Sequence, residues 1–439
     1  MKILFPIVRF NWYRTVAPVM DALMARGHHV VCLHNQSYEN FTSNRPDASR
    51  FPCFRSGQPE IRSYQSEEEL MAKLMSWDGD AIASIDLPLK PWIESADWGN
   101  RRFRYIAIST TDTLKRLYGA RDVTAVDLFC LRSDWELESC ILDHRTRYSE
   151  TCAELEKLGP DGRKMLRIVE KRLGNEWDNA TESEFRSRSV ITGYPMLATL
   201  PLVHREEVLA RWGIDPKRPV IGIWSTPTSG RGYHGSYDWL FAESNPLKFY
   251  LKALSAYGVK GFGVSLANEK RCLQAIHHFA RKHDAQVVVK ARHYQELDGT
   301  VYAQIADRVV GEESYYPHTA VELACISRLM IGFRTSGYVE AVGAGCSFLN
   351  IEIPRDPLEH TYRVLHFWRG LCDFQRVGYS WTADRVISDL PGMHLDEFGI
   401  DPVQRNEFLL RYGSPDLQNI CNRVVDAIEQ SCKNEEGSR

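Results

Sequence analysis

The sequence has no apolar run close to the roughly 18 residues that a membrane-spanning helix needs. Its N-terminal apolar stretch is broken at Arg9, too early for the core of a secretory signal peptide. An excess of one charge is also missing, since 54 Lys and Arg stand against 57 Asp and Glu and leave a net charge of −3. A nucleic-acid partner would favour a basic face, so we expect none. These absences predict a soluble, cytoplasmic protein.

Motifs for metals and disulfides are missing as well. The 11 cysteines are odd in number and none forms a C-x-x-C pair, and the 14 histidines form no H-E-x-x-H pattern. Cys130, Cys325, Cys346 and Cys372 lie in apolar runs, which is typical of buried free thiols. We therefore expect neither a metal nor another bound cofactor.

What the sequence does contain is an alternation of short apolar runs and helical patterns. In the first half, Lys2–Val8 predicts a strand, Arg9–Arg14 a loop and Val16–Arg26 a helix that ends at Gly27, and His29–His34 predicts a second strand. A right-handed crossover makes these two strands parallel. Further strands of this half are predicted at Ala81–Ile85, Tyr105–Ile108 and Leu128–Leu131.

The alternation restarts after a turn-rich linker at Asp215–Pro219. Four strands are predicted in the second half, at Val220–Ser225, Gln286–Lys290, Leu329–Phe333 and Ser347–Ile351. The fold class is therefore α/β, with two parallel-sheet domains facing a cleft. We place them at 1–200 and 220–400, joined by a hinge at 201–219 and followed by C-terminal helices at 401–432 and a disordered tail at 433–439.

Ligands of such sheets bind beyond the carboxyl ends of the strands, and the richest segment of this kind is 329–345. Arg334, Thr335, Ser336 and Gly337 follow an apolar strand and precede a helix. Backbone N–H groups, hydroxyls and a cation suit a diphosphate, and Glu340 is placed to accept hydrogen bonds from a ribose diol. The alternative is simple helix capping, although the sequence forms no capping box here.

A second cationic segment follows the strand that ends at Lys290. Arg292 and His293 come directly after it, so a point charge, a bidentate donor and a proton donor are close in sequence. This favours a diphosphate or a phosphorylated sugar. The alternative is a solvated loop whose charges have no ligand.

Two further donor-site segments are weaker. Ser225 and Thr226 open a stretch of hydroxyls and glycines that suits the approach of a phosphate, although a flexible turn explains it nearly as well. Tyr315, Tyr316 and His318 precede a helix and would stack on a nucleobase, but His318 is as easily a packing residue of the core.

In the first half, Arg9 and Asn11 lie at the end of the first strand and predict contact with an acceptor. Asp86 and Asp112 follow later strands, and either carboxylate would serve as the general base for an acceptor hydroxyl. Either residue is also a common helix N-cap, so this assignment stays open.

The order of these motifs resembles the glycosyltransferases of the two-Rossmann GT-B type, with their UDP-GlcNAc 2-epimerase relatives. The sequence motifs are most similar to those of CDP-glycerol glycerophosphotransferases and capsule sugar transferases. The residues that carry the resemblance are Tyr105–Gly119, Val190–Pro195, Arg205–Trp212, Arg218–Trp224, Lys290–His293 and Arg334–Glu340. Two departures from the family are evident. Thr110 and Thr111 stand where the family has His-Gly-Thr, and the Lys-x-His-Pro sequence has lost its proline and moved its histidine to His293.

The resemblance implies a cytoplasmic glycosyltransferase of cell-envelope polysaccharide synthesis, acting at the inner face of the membrane if it associates with one peripherally. It would move a sugar, or a polyol phosphate, from a nucleotide-activated donor to a surface-glycan or lipid-linked acceptor. The nucleotide sugar would be a co-substrate, with Lys290 and Arg292 stabilising the departing nucleotide. Two alternatives remain open, a UDP-GlcNAc 2-epimerase-like isomerase and a non-catalytic sugar-nucleotide-binding module.

Overall fold

The structure is a computed structural model of the 439-residue chain. It describes residues 1–8, 10–36, 52–85, 98–99, 101–109, 120–145, 153, 156–157, 177–225, 268–291, 297–311, 313–333, 335, 337–352, 378–414 and 416–433. The chain divides into two compact units. The first contains Met1–Thr199 and Leu409–Arg439, and the second contains Leu200–Glu359 and Asp373–Phe408.

The first unit is built on a parallel sheet of seven strands in the order β3-β2-β1-β4-β5-β6-β7. The strands are β1 Lys2–Ile7, β2 His29–Asn35, β3 Glu60–Tyr64, β4 Ala81–Ile85, β5 Arg104–Ile108, β6 Leu128–Leu131 and β7 Ser189–Ile191. β1 pairs with β2 on one side and with β4 on the other. Every residue of β4 and β6 is buried, as expected for strands that are covered on both faces.

The described helices of the first unit begin where β1 ends. The prediction of a loop over Arg9–Arg14 was wrong, because a 3-10 turn at Phe10–Trp12 leads directly into the first helix. The helices are α1 Tyr13–Ala25, α2 Glu67–Met75, α3 Ala120–Ala125, α4 Asp134–Arg145 and α5 Asn179–Ser187.

The second unit is built on a parallel sheet of six strands in the order β10-β9-β8-β11-β12-β13. The strands are β8 Val220–Trp224, β9 Gln286–Lys290, β10 Arg308–Val310, β11 Leu329–Gly332, β12 Ser347–Glu352 and β13 Tyr379–Thr382. The predicted fold class, α/β with two Rossmann-like parallel-sheet domains, is confirmed.

Eight further helices follow in the described part of the chain. They are α6 Arg205–Trp212, α7 at 268–282, α8 Val301–Ile305, α9 Thr319–Ile326, α10 Tyr338–Gly343, α11 Ala383–Asp389, α12 Pro402–Tyr412 and α13 Ile420–Lys433. α6 ends at Gly213, which has φ 66° and so occupies the left-handed region that favours glycine. α13 belongs to the first unit and contacts α1, where Arg26 Nη1 lies 2.6 Å from Asp426 Oδ1.

Buried thiols are confirmed in part. Cys130 and Cys346 are free and buried, whereas Cys325 is only half-buried and Cys372 lies outside the described residues. No described helix has both the length and the apolar character to cross a membrane.

Each sheet has one switch point, where the chain stops adding strands on one side of the first strand and continues on its other side. In the first sheet the chain runs outward from β1 to β3 and then returns to place β4 on the other side of β1. In the second it runs outward from β8 to β10 and returns to place β11 beside β8. Crevices for ligands open at such switch points, beyond the carboxyl ends of the strands.

Two buried histidines make the first unit sensitive to acid. His144 stacks on Trp177 with ring centroids 4.2 Å apart, and burial lowers the pKa of His144 from 6.5 to about 3. Burial likewise lowers the pKa of His34 to about 4. Both imidazoles therefore stay neutral in the native protein at pH values where they gain a proton in the unfolded chain.

We predict that the free energy of unfolding falls as the pH drops below 6.5, because the unfolded state then binds protons that the native state does not bind. His144→Phe keeps the stacked ring but removes one of these groups. Its pH dependence should be shallower by up to about 1.4 kcal/mol per pH unit. Urea unfolding of both proteins between pH 7.5 and 4.5 checks this, and parallel curves would contradict it.

Candidate functional site

Four of the predicted donor residues lie at the carboxyl ends of three neighbouring strands, β9, β8 and β11. Ser225 follows β8 and its N–H donates a hydrogen bond of 3.2 Å to the carbonyl of Lys290 at the end of β9. Thr335 and Gly337 follow β11, on the opposite side of β8. The structure thus brings these four residues to the switch point of the second sheet.

Lys290 is a cation of this edge among the described residues, and it is only 4% exposed. Its Nζ donates to the carbonyl of Ala291 at 3.3 Å. Burial of an ammonium group costs free energy unless polar groups surround it. A buried lysine at the carboxyl edge of the sheet is therefore unusual and is a candidate ligand-binding residue. A positive charge in this position suits the phosphates of a nucleotide.

Thr335 and Gly337, which follow β11, are hydrogen-bonded to each other. Thr335 Oγ1 accepts a hydrogen bond of 3.2 Å from the N–H of Gly337, the residue that precedes α10. Glu340 lies in α10 and is buried, with 1% exposure.

Trp224 is a residue of this edge that the sequence analysis missed. Its indole lies at the end of β8, buried, and packs with a centroid distance of 5.8 Å against Phe348. A Cβ atom built on Gly337 would lie 3.0 Å from Cζ2 of Trp224. The glycine therefore lets the backbone approach the indole closely. A tryptophan at a strand's carboxyl end was the available signal.

His318 supports the packing alternative. It is buried and precedes α9, and its Nδ1 accepts a hydrogen bond of 3.3 Å from the N–H of Ala320. Its ring lies 5.7 Å from that of Tyr315. A helix-capping role is thus present in the structure, whereas stacking on a nucleobase stays a prediction.

Asn11, a predicted acceptor residue, lies at the switch point of the first sheet and within the described ranges. It lies in the 3-10 turn directly after β1, and its Oδ1 is buried with no hydrogen-bond partner among the described residues. Such an acceptor suits a hydroxyl donor of a bound sugar or polyol. Next to this edge, the sequence analysis missed His34 and Tyr13, which are buried and hydrogen-bonded to each other.

A polar network that the sequence analysis also missed lies at the carboxyl ends of β5 and β6. Ser109 Oγ donates a hydrogen bond of 2.6 Å to Glu136 Oε1, and the N–H of Arg132 donates one of 2.8 Å to Glu136 Oε2. All three residues are buried. The available signal was an arginine directly after an apolar strand, followed by Ser133 and Glu136 at capping distance.

Eight predicted site residues lie outside the described residues, so their assignments stay predictions. They are Arg9, Asp86, Asp112, Thr226, Arg292, His293, Arg334 and Ser336.

The described ranges include a surface cavity that lies away from the predicted site. These ranges contain no group of three or more His, Cys, Asp or Glu residues that could hold a metal ion. A surface cavity of about 530 Å³ lies between Arg205, Lys217 and Arg328, at the amino-terminal ends of β8 and β11. No predicted site residue lines it, and it lies at the edge of the sheet opposite to the ligand edge.

Comparison with known proteins defines the fold. No protein-family model matches the chain, and neither does any curated protein. Among solved structures, a candidate UDP-N-acetylglucosamine 2-epimerase from Listeria monocytogenes is similar over 99% of this chain and 97% of its own, with a TM-score of 0.52 and 10% identity. The wall teichoic acid polymerase TagF is similar over 99% of this chain and 90% of its own, with a TM-score of 0.53 and 11% identity.

A TagF variant soaked with CDPG gives a TM-score of 0.54, again at 11% identity over 99% of this chain and 90% of its own. These likenesses show a GT-B type fold, as the resemblance in the sequence implied.

The contact between Gly337 and Trp224 leads to a prediction. Gly337→Val places methyl groups where the buried indole lies, so it should destabilise the second unit by about 1–3 kcal/mol. The matched control is Gly399→Val, because a Cβ at exposed Gly399 meets nothing within 4 Å. Thermal unfolding of both variants checks this. Equal melting temperatures for the two would contradict the packing described here.

Proposed function

We propose that the protein is a glycosyltransferase that uses a nucleotide-activated donor, bound at the carboxyl edge of the second sheet. The observation that carries this proposal is the convergence of Lys290, Ser225, Thr335 and Gly337 at the switch point between β8 and β11. The acceptor binds at the corresponding edge of the first sheet, near Asn11.

The donor site is proposed from chemistry that suits a nucleoside diphosphate. Lys290 supplies positive charge to the phosphates, and the hydroxyls of Ser225 and Thr335 supply neutral donors on the neighbouring strands. Glu340 accepts hydrogen bonds from the ribose diol. Arg292, His293, Arg334 and Ser336, predicted from the sequence, complete this site.

The reaction breaks the bond between the transferred group and the terminal phosphate oxygen of the nucleotide. The acceptor hydroxyl forms the new bond and gives its proton to a carboxylate of the first unit, for which Asp86 and Asp112 are the predicted candidates. Negative charge grows on the departing nucleotide in this step. Positive groups held in place beforehand, above all Lys290, stabilise that charge, a term that is usually among the largest in catalysis.

The comparisons support this class of donor. A structure of a TagF variant with CDPG shares the fold, so a CDP-activated donor is the first to test. The product would be a surface polysaccharide or a lipid-linked precursor.

A second candidate function is sugar-nucleotide 2-epimerisation, which the likeness to the Listeria monocytogenes structure favours. It would use the same nucleotide site without an acceptor. Incubation of the purified protein with UDP-GlcNAc alone separates the two, because an epimerised product formed without acceptor supports the isomerase and contradicts the transferase.

We predict that a nucleoside diphosphate stabilises the protein and that Lys290→Met removes most of this effect. A ligand that binds only the native state raises its stability by mass action. A panel of CDP, UDP and GDP with their sugars should identify one preferred base by thermal shift. Loss of the ammonium should weaken binding of that nucleotide at least tenfold, because a charge-assisted contact to phosphate is lost.

Lys217→Met is the matched control, since Lys217 belongs to the same unit but is exposed at the opposite edge of the sheet. It should bind the nucleotide as the wild type does. A nucleotide response that is the same in both variants would argue against the proposed site, and no response to any nucleotide in the wild type would argue against the function.

A further inference from the structure

A buried guanidinium group in the first unit has donors that the protein itself does not satisfy. Arg132 follows β6 directly and is 1% exposed. Its Nη1 and Nη2 atoms are buried and have no hydrogen-bond partner in the part of the chain that the structure describes. A buried donor without an acceptor is costly, and the large majority of such groups in native proteins are paired.

The orientation of the guanidinium is set by Glu136. Oε2 of Glu136 lies 3.3 Å from Nε of Arg132 and also accepts the N–H of Arg132, and its Oε1 accepts the hydroxyl of Ser109. Glu136 thus holds the Nε side of the guanidinium. The two Nη atoms form the other end of the group, where two parallel N–H bonds can be donated.

The position of Arg132 is that of a ligand-binding residue. The carboxyl ends of β5 and β6 belong to the edge of the sheet where ligands of open α/β folds bind. The same edge carries Asn11, and α4 begins two residues after Arg132. Asp134, an acidic residue in the first turn of α4, is exposed, so Glu136 is the carboxylate that faces the guanidinium.

We propose that Arg132 binds an oxyanion of the acceptor, a phosphoryl or a carboxylate group, through two parallel hydrogen bonds from Nη1 and Nη2. The planar fork of a guanidinium matches both kinds of oxyanion. The assignment to the acceptor rests on the proposed function, whereas the oxyanion site itself rests on Arg132 and Glu136. The acceptor is then an anionic glycan or lipid, not a neutral sugar.

The test is a titration of the full-length protein with sodium phosphate and with sodium acetate, at ionic strength held constant with chloride, followed by thermal unfolding. Phosphate or acetate should raise the unfolding temperature of the wild type. In Arg132→Met the binding should weaken at least tenfold. The anion that gives the response identifies the oxyanion as phosphoryl or carboxylate.

Arg188→Met is the matched control, because Arg188 is an arginine of the same unit whose Nη1 donates to the carbonyls of Thr124 and Val126. It should keep the full anion response. An unchanged response in Arg132→Met, or no response to either anion in the wild type, would overturn the proposal. A higher unfolding temperature of Arg132→Met with an unchanged response would show that the guanidinium is only an unsatisfied structural group.

Arg132→Lys covers the case in which the methionine variant fails to fold. It retains the charge but lacks the fork, so it should fold and still bind the anion at least tenfold more weakly. An anion affinity equal to that of the wild type would contradict bidentate binding.

The same measurements in a Lys290→Met background separate this inference from the proposed function. The Arg132-dependent anion response should persist there, while the nucleotide response is lost. If no nucleotide stabilises the wild type but the Arg132-dependent response is present, the proposed donor site fails and the oxyanion site stands. If the nucleotide response is present and Arg132 has no effect on the response to either anion, the proposed donor site stands and the oxyanion site fails.

Discussion

In both units, the candidate ligand-binding groups lie at the edge where parallel strands end. The central strands are buried on both faces, so their side chains cannot reach a ligand along the strand. Ligand-binding groups must therefore come from the residues just beyond the carboxyl ends, and the switch points leave space for a ligand there. Lys290 and Ser225 in one unit, and Asn11 and Arg132 in the other, occupy such positions. The proposed division of labour, with donor and acceptor on different sheets, follows from this constraint.

Burial of charge distinguishes these edges from an ordinary protein surface. Lys290 and Arg132 are cations with almost no solvent exposure, and water cannot offset their charge. Arg132 is compensated on one side by Glu136, which Ser109 in turn orients. A cation held in this way loses little freedom when an anion binds, so the proposed site is preorganised. The same low-polarity surroundings strengthen the interaction of such a group with phosphate.

The central strands could be predicted from the sequence because continuous apolar runs are unambiguous. Ala81–Ile85, Leu128–Leu131 and Gln286–Lys290 are strands with the predicted bounds. Edge strands were missed since β3 and β10 are largely exposed and carry charged residues, so their pattern resembles that of a loop. The Ser109–Glu136–Arg132 network was missed for another reason. It joins the ends of two strands through a helix, and only the tertiary arrangement reveals that contact.

The most direct test of the central claim is a crystal structure of the protein with the nucleotide that stabilises it most. We predict that the phosphates lie within hydrogen-bond distance of Lys290 Nζ, beyond the carboxyl ends of β8, β9 and β11. A nucleotide bound instead in the cavity near Arg205 and Arg328, at the amino-terminal ends of β8 and β11, would contradict it.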